Sequence, residues 1–360
     1  MPHPAGLPAS ECTPLPAGAL EHILAAHAAY LAHRQEGARA VLSNCDLSGA
    51  KLRQCVLREA ELTGADLHGA DLSAADFSGA QLYCADLQRI DGRLCNFTRA
   101  DLRGAKLNGS NLTRATLDYA DFRPGRLMRQ MENGRPQYID RSGSGANVDF
   151  GQCALHGATF ECAFLHGASF RGAIIHATKF KDARLSDTDF TGAVLSEVRL
   201  EELHLPDAML KTCIIAPPVQ DSMVTRHKLV VMLKAHQRWI ESDGREEQPA
   251  VLDGADLRPL GRALTQFKLT AVFARRITGI AMNFTGLELQ GANFEDADLR
   301  GAVFDGADLR GAKFRGARLA QARFRNADMR SLSLKSGERM ELDLFRAEVT
   351  DEQLAEAKRR

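Results

Sequence analysis

The chain has 360 residues, with Lys plus Arg and Asp plus Glu at 46 each, so no global field selects a nucleic acid or a membrane surface as partner. Hydrophobic residues make up 44%, enough for a core, yet Trp occurs once and Tyr four times, so that core must come mainly from small, aliphatic and Phe side chains. The sequence has no apolar run of the roughly 18 residues that a helical membrane span needs.

The opening stretch, MPHPAGLPASECTPLPAG, lacks a basic segment followed by an apolar one. Residues 1–18 are therefore expected to form a disordered arm and not a secretion signal. Residues 19–33, ALEHILAAHAAYLAH, place Leu20, Ile23, Leu24, His27 and Leu31 on one helical face.

From Leu42 to Phe122 a large apolar residue returns at every fifth position, with Gly92 the one departure. Two places earlier stands Ala, Cys or Ser, except at Ile90. Five is neither the helix period nor the strand period. In an extended segment, however, residues two apart point the same way and the one between them points away. Each quintet therefore reads as a short strand with two inward side chains, followed by a tight corner such as SG, RG or TG. Five of the eight cysteines (Cys45, Cys55, Cys95, Cys153, Cys213) fill the small inward slot, as buried apolar residues would. No CxxC pair occurs, so zinc or thioredoxin-like chemistry is not expected and a reducing compartment is.

Residues 123–147 interrupt the beat. ENGR is a hairpin turn signal, with LMRQM and PQYID as its arms, and the segment holds five Arg against two acids. The beat resumes from Phe150 to Ile215. There Phe150, Phe160, Phe170, Phe180 and Phe190 alternate with Leu155, Leu165, Ile175, Leu185 and Leu195. Such alternation stays in columns only if the coil has an even number of sides. Two sides leave no interior, so four sides are expected, with successive coils about 4.8 Å apart as parallel strands.

Residues 229–240, LVVMLKAHQRWI, repeat the pattern of the first helix: His236 matches His27, Trp239 matches Tyr30, and Leu252 opens a run as Leu42 does. This reads as an internal duplication, in which each helix caps strand edges and an apolar cross-section. The two histidines are expected to bond backbone groups of the coils they cap. The phase then slips by two residues between Leu257 and Phe284, and a third block runs from Phe284 to Leu334. Near the end, Thr350 and Gln353 form a capping box. The expected domains are 19–215 (helix and blocks 42–122 and 148–215) and 216–360 (helix about 222–242, solenoid about 250–334, and a closing cap).

Candidate chemistry is sparse. His156 and His176 should stack one strand spacing apart, but His166 falls on the opposite face and position 196 is Ser, so an inert ladder is expected and no metal. Arg310, Lys313, Arg315, Arg318, Arg323, Arg325 and Arg330 form a basic belt against one acid, Asp328. No Walker loop, dinucleotide fingerprint, HExxH or GxSxG occurs, and a filled coil has no deep pocket, so no catalytic residue or cofactor is expected.

The quintets ADLHG, ADLSA, ADFSG and ADLRG resemble the A-(D/N)-L-x-x motif of the pentapeptide-repeat proteins across all three blocks. The resemblance implies an all-β solenoid, a right-handed quadrilateral parallel β-helix, here with short capping α-helices. The best-understood members are bacterial proteins that act on DNA gyrase and mimic duplex DNA through an acidic surface. Acids and bases are nearly balanced in each block here, which removes the pervasive negative field that such mimicry needs. The leading expectation is a non-enzymatic cytoplasmic scaffold that binds an unidentified protein. The long insertion supplies its candidate contact residues Arg126, Arg129, Arg135, Tyr138 and Arg141. A topoisomerase (gyrase) binder and a nucleic-acid or anionic-surface binder through residues 310–330 are the alternatives. Pairing of imperfectly capped ends adds a homodimer to the expected partners.

Overall fold

The computed structural model describes residues 12–130, 136–141, 144–219, 222–334 and 336–358. They fall into two compact units, Met1–Ile215 and Ala216–Arg360.

In both units the quintet is the structural module. Leu62 donates its N–H to Gln81 O at 2.8 Å, Gln81 donates to Ala60 O at 2.9 Å, and the corner closes with Ala65 N–H on Leu62 O at 3.1 Å. The same bridge recurs at every fifth residue, always one coil further on: Glu61 with Gln81, Asp66 with Asp86, Asp71 with Asp91, Asp76 with Asn96. Four quintets thus make one coil, and all these bridges are parallel. The third residue of each corner takes a left-handed φ, as at Gly64 (67°), Gly69 (66°), Ala74 (57°) and Gly79 (68°). Gly reaches that conformation without strain, which is why it recurs there.

The outward Asp has a job that its orientation alone does not reveal. Asp71 accepts the N–H and the hydroxyl of Ser73 at 2.9 and 2.6 Å, which pins the corner two residues on. Where that residue is Arg, the side chain clamps back as well: Arg93 Nε and Nη2 reach the two Asp91 oxygens at 2.8 and 2.6 Å. Local carboxylate capping of this kind explains why Asp or Asn precedes the large apolar residue so often.

The first unit opens with β1 (Thr13–Pro14) and α1 (Ala19–Leu31), and β1 pairs in parallel with β2 (Cys45–Asp46). The expected disordered arm, residues 1–18, thus overlaps ordered chain at its end, because Thr13–Pro14 supplies a rung to the otherwise open edge of the first coil. Residues 1–11 lie outside the described residues. Inside the coil, Leu62, Leu67, Leu72 and Phe77 are all 0% exposed. Each contributes roughly 1.5–3 kcal/mol by burial before the entropy of ordering the chain is subtracted.

A hairpin, β3 (Gly125–Gln130) and β4 (Pro136–Arg141), interrupts this coil. The ladder crosses it undisturbed. Asp101 bridges Asp121 at the regular spacing, and the next rung joins Lys106 to Ser144 on the far side of the hairpin. The coil therefore resumes at Ser144 and not at residue 148. Gly145, Ala146 and Asn147 read as loop in the sequence, yet Gly145 and Asn147 donate their N–H groups to Phe164 O and His166 O at 2.7 and 2.9 Å. Above the insertion, β5 (Ala154–His156), β6 (Ile174–His176) and β7 (Val194–Ser196) stack in parallel register. Phe150, Phe170 and Phe190 stack face to face at 4.9 and 4.7 Å, while Phe160 and Phe180 stack at 5.3 Å in a second column and meet the first edge-on. The final coil departs from the beat. A 3₁₀ turn (Leu200–Glu202) and α2 (Asp207–Leu210) replace two strands before β8 (Ile214–Ile215) pairs with β7. Pro206, at the start of α2, has no N–H to give a ladder.

The second unit repeats the plan from α3 (Ser222–Glu241). Its first bridges join Val251 to Phe273 and Asp256 to Thr278, a wider spacing than that of the regular coil. The surplus is absorbed by a 3₁₀ segment, Arg258–Gln266, kinked at Gly261 (φ 46°, ψ −128°). Buried Arg258 grips Asp256 and donates to Pro217 O at 2.6 Å, so the lead-in to α3 touches the first coil as β1 does in the first unit. The regular spacing then returns, with Phe284, Phe304 and Phe324 stacked at 4.8 and 5.2 Å. A second hairpin, β9 (Leu332–Ser333) with β10 (Arg339–Met340), intervenes, and Lys313 bridges Asp343 across it. Leu334 thus belongs to a loop and not to the third block, and coil continues beyond residue 334. Met340 and Leu332 fill the space over Gly311, where an added Cβ would lie 2.9 and 3.0 Å from theirs. The chain closes with α4 (Asp351–Leu354), whose capping box joins Thr350 and Gln353. The Gln353 amide also donates to Leu319 O and Ala322 O at 2.8 and 2.9 Å, which satisfies carbonyls at the last edge.

Candidate partner-binding site

The longest departure from the coil is the β3–β4 hairpin, and its root is built with care. Arg123 is clamped to Asp121 at 2.7 Å, which ends the last regular quintet. Gly125 then lies so close to the corner above it that a Cβ would meet Cys84 Sγ at 2.9 Å and Gly104 Cα at 3.0 Å. No larger residue fits there. One residue on, Tyr83 holds the strand by both backbone groups: its phenol oxygen accepts from Arg126 N at 2.6 Å and donates to Arg126 O at 2.8 Å. Burial pushes the Tyr83 phenol above its ordinary value, so the donating proton stays in place. Arg103 sits over the Tyr83 ring at 5.3 Å.

Of the five residues expected to form the contact, Arg126 is exposed at this root. Backbone register pairs Arg126 with Asp140, Met128 with Tyr138, Arg129 with Gln137 and Gly125 with Arg141. By register, Arg126 and Tyr138 therefore share one phase of the pleat, and Arg129 and Arg141 the other. Arg135 lies outside the described residues. Tyr83 was not among the expected residues. Its only sequence signal is a bulky aromatic at a corner position where small polar residues prevail.

The basic belt is not a free cationic surface. Arg310 pairs with Asp308, Arg315 with Asp343, Arg318 with Asp298, Arg323 and Arg325 with Asp305, and Arg330 with Asp328. The Arg330 guanidinium holds the Asp328 carboxyl below its usual range. The six arginines share five carboxylates, Asp305 serving two of them, so much of the belt's charge is met locally and its field toward a polyanion is weakened.

The two histidines expected to stack are engaged too, with their rings tilted 55° to each other. His156 Nδ1 lies 2.8 Å from Asp118 Oδ1, and His176 Nδ1 lies 3.1 Å from Ser196 Oγ. Their ring centroids are 5.9 Å apart. Among the described residues no group of three His, Cys, Asp or Glu side chains is placed to hold a metal ion, and no helix is long and apolar enough to cross a membrane.

The family described as pentapeptide repeats matches the chain in eight copies, over residues 40–79, 60–91, 95–126, 149–187, 178–214, 283–316 and 304–336, more than half of its length. No curated protein matches it significantly. Among solved structures, HetL of the cyanobacterium Nostoc sp. strain PCC 7120, a pentapeptide repeat protein involved in heterocyst differentiation regulation, is 23% identical, over 84% of this chain and 81% of its own, with a TM-score of 0.26. QnrB1, a plasmid-mediated fluoroquinolone resistance protein, is 18% identical over 54% of this chain and 98% of its own, with a TM-score of 0.29. A pentapeptide repeat protein of the Arabidopsis thaliana thylakoid lumen is 34% identical over 24% of this chain and 67% of its own, with a TM-score of 0.18.

Proposed function

Because the chain belongs to the pentapeptide-repeat family, we propose that it is a non-enzymatic scaffold of right-handed four-sided coils that binds another protein through the β3–β4 hairpin. One observation carries this reading: the ladder passes from Asp121 to Ser144 without loss of register, so the hairpin contributes no rung to the coil. An insertion that the fold does not need, anchored at its root by Tyr83, is a common place for a recognition element. Its excess of arginine suits an acidic partner surface. Cys84, Cys95 and Cys153 act as small buried residues, and all eight cysteines are free thiols, which suits a reducing cytoplasm.

The test compares wild-type protein with a variant lacking residues 126–143 as bait in the native host. A partner retained by the first and lost by the second is expected, with Arg126→Glu weakening its capture. If both baits retain the same proteins, the hairpin is not the contact. A supercoiling assay with purified gyrase addresses the topoisomerase alternative, for which no inhibition is expected.

A further inference from the structure

His27 in α1 and His236 in α3 are both buried to 0% exposure. Each lies flat against the aromatic residue three positions on: Tyr30 at 5.8 Å and 16°, Trp239 at 5.4 Å and 20°. Through Nδ1 each accepts the backbone N–H that opens its coil, from Ala40 at 3.1 Å and from Ala250 at 3.0 Å. An imidazole nitrogen that accepts a hydrogen bond carries no proton, so the neutral ring keeps its proton on Nε2. A second proton has only Nδ1 to occupy. There it would face the alanine N–H, donor against donor, in a site closed to solvent.

We propose that these two histidines are proton-operated latches: acid breaks the Nδ1 bond, loosens the capping helix and exposes the edge of the first coil in each unit. On the far side of each ring Nε2 is buried and makes no hydrogen bond of ordinary geometry among the described residues, although the Arg58 and Thr270 backbone lies near enough to favour the protonated ring. The edge is already partly apolar, since Val41 and Val251, next to the two alanines, are 60% and 54% exposed.

The surroundings set the direction of the response. Burial lowers the pKa of His27 below the ordinary 6.5; Arg39 and Arg58 add to this, while the Arg58 backbone and Glu59 oppose it. Burial also lowers the pKa of His236, opposed by the Thr270 backbone alone among the described residues. Between its lowered folded pKa and about pH 6.5, each histidine therefore binds fewer protons in the folded unit than in the unfolded chain. The latch is whole above that value, and its contribution is lost as the pH falls through the folded pKa.

Amide hydrogen exchange on the full chain between pH 7.5 and 4.5, corrected for intrinsic rates, tests this with His27→Gln and His236→Gln. A glutamine oxygen can accept the same N–H and does not titrate. Protection of the Ala40 and Ala250 amides should fall about tenfold from pH 7 to pH 5 in the wild type, while mid-coil amides such as Leu72 and Phe304 hold. Each glutamine should flatten the response of its own unit only. If a variant does not fold, the ring resonances of the wild-type histidines serve instead: protonation should coincide with loss of cap protection. Constant protection throughout, wild type and glutamine variants falling together, or rings that titrate with no change at the caps would each overturn the proposal.

Discussion

The first unit fills its early coils with leucine and its long hairpin adds no rung to the coil, whereas the second fills its shaft with stacked phenylalanine and packs its short hairpin over a glycine of the coil. Leu62, Leu67 and Leu72 lie in consecutive quintets at 0% exposure, while Phe284, Phe304 and Phe324 form one continuous stack. Both fillings meet the same wall of small residues, as at Ala65 and Ala302. A shaft with four quintets to the coil therefore accepts either a flexible branched chain or a flat ring, provided neighbouring columns share the space. The hairpins differ in a similar way. Leu332 and Met340 occupy the hollow over Gly311, so the second hairpin is part of the packing. The first is tied to the coil at Gly125 and Arg126.

The contrast can be broken at several points. The unique Trp, Trp239, reports on the second unit, and all four Tyr lie in the first, so the two can be followed separately in denaturant. Phe304→Ala removes a ring stacked on both sides and should cost the second unit about 4 kcal/mol, against about 3 kcal/mol for Leu67→Ala in the first. Equal losses would mean that ring stacking adds nothing beyond volume. Removing residues 332–341, which restores the regular spacing, should cost the second unit about 2 kcal/mol by uncovering its glycine column. Removing residues 126–143 should cost the first less than about 1 kcal/mol. If the first deletion is silent and the second severe, the roles of the hairpins are reversed. Gln353→Ala strips both the helix cap and two edge carbonyls of their partner, for which about 1.5 kcal/mol is expected from the midpoint of the Trp transition. A comparably small effect, about 1 kcal/mol or less, is expected for Tyr83→Phe. Its readout is faster proteolysis of the hairpin, with the Tyr transition nearly in place.

Several of these features can be read from the residues in order. The beat of five, the even-sided coil, the two-residue slip before Phe284 and the Thr350–Gln353 cap all rest on neighbours a few positions apart or on strict repetition. The pairing of the basic belt was within reach too, because Asp308 and Asp328 stand two places before Arg310 and Arg330. Counting charges within residues 310–330 missed it, since Asp298, Asp305 and Asp343 reach the other arginines from outside that stretch. Other features gave no such sign. The coil after residue 342 lacks the Ala–x–Leu signature, and the strands expected around Leu200 to Leu210 became helical turns. Tyr83 and Arg126 are far apart in the chain, with nothing periodic to link them.

The order of the amino acids was enough to define the quintet, because a repeated pattern of small, polar and large residues leaves the backbone few ways to bury one face. It could not say where each interruption would rejoin the coil. That depends on rungs closing across insertions of unequal length, as from Asp256 to Thr278, Lys313 to Asp343 and Lys106 to Ser144, and on whether a hairpin finds a glycine hollow to fill. Such choices are made by side chains brought together from distant parts of the chain, whose contacts exist only after the coil has formed.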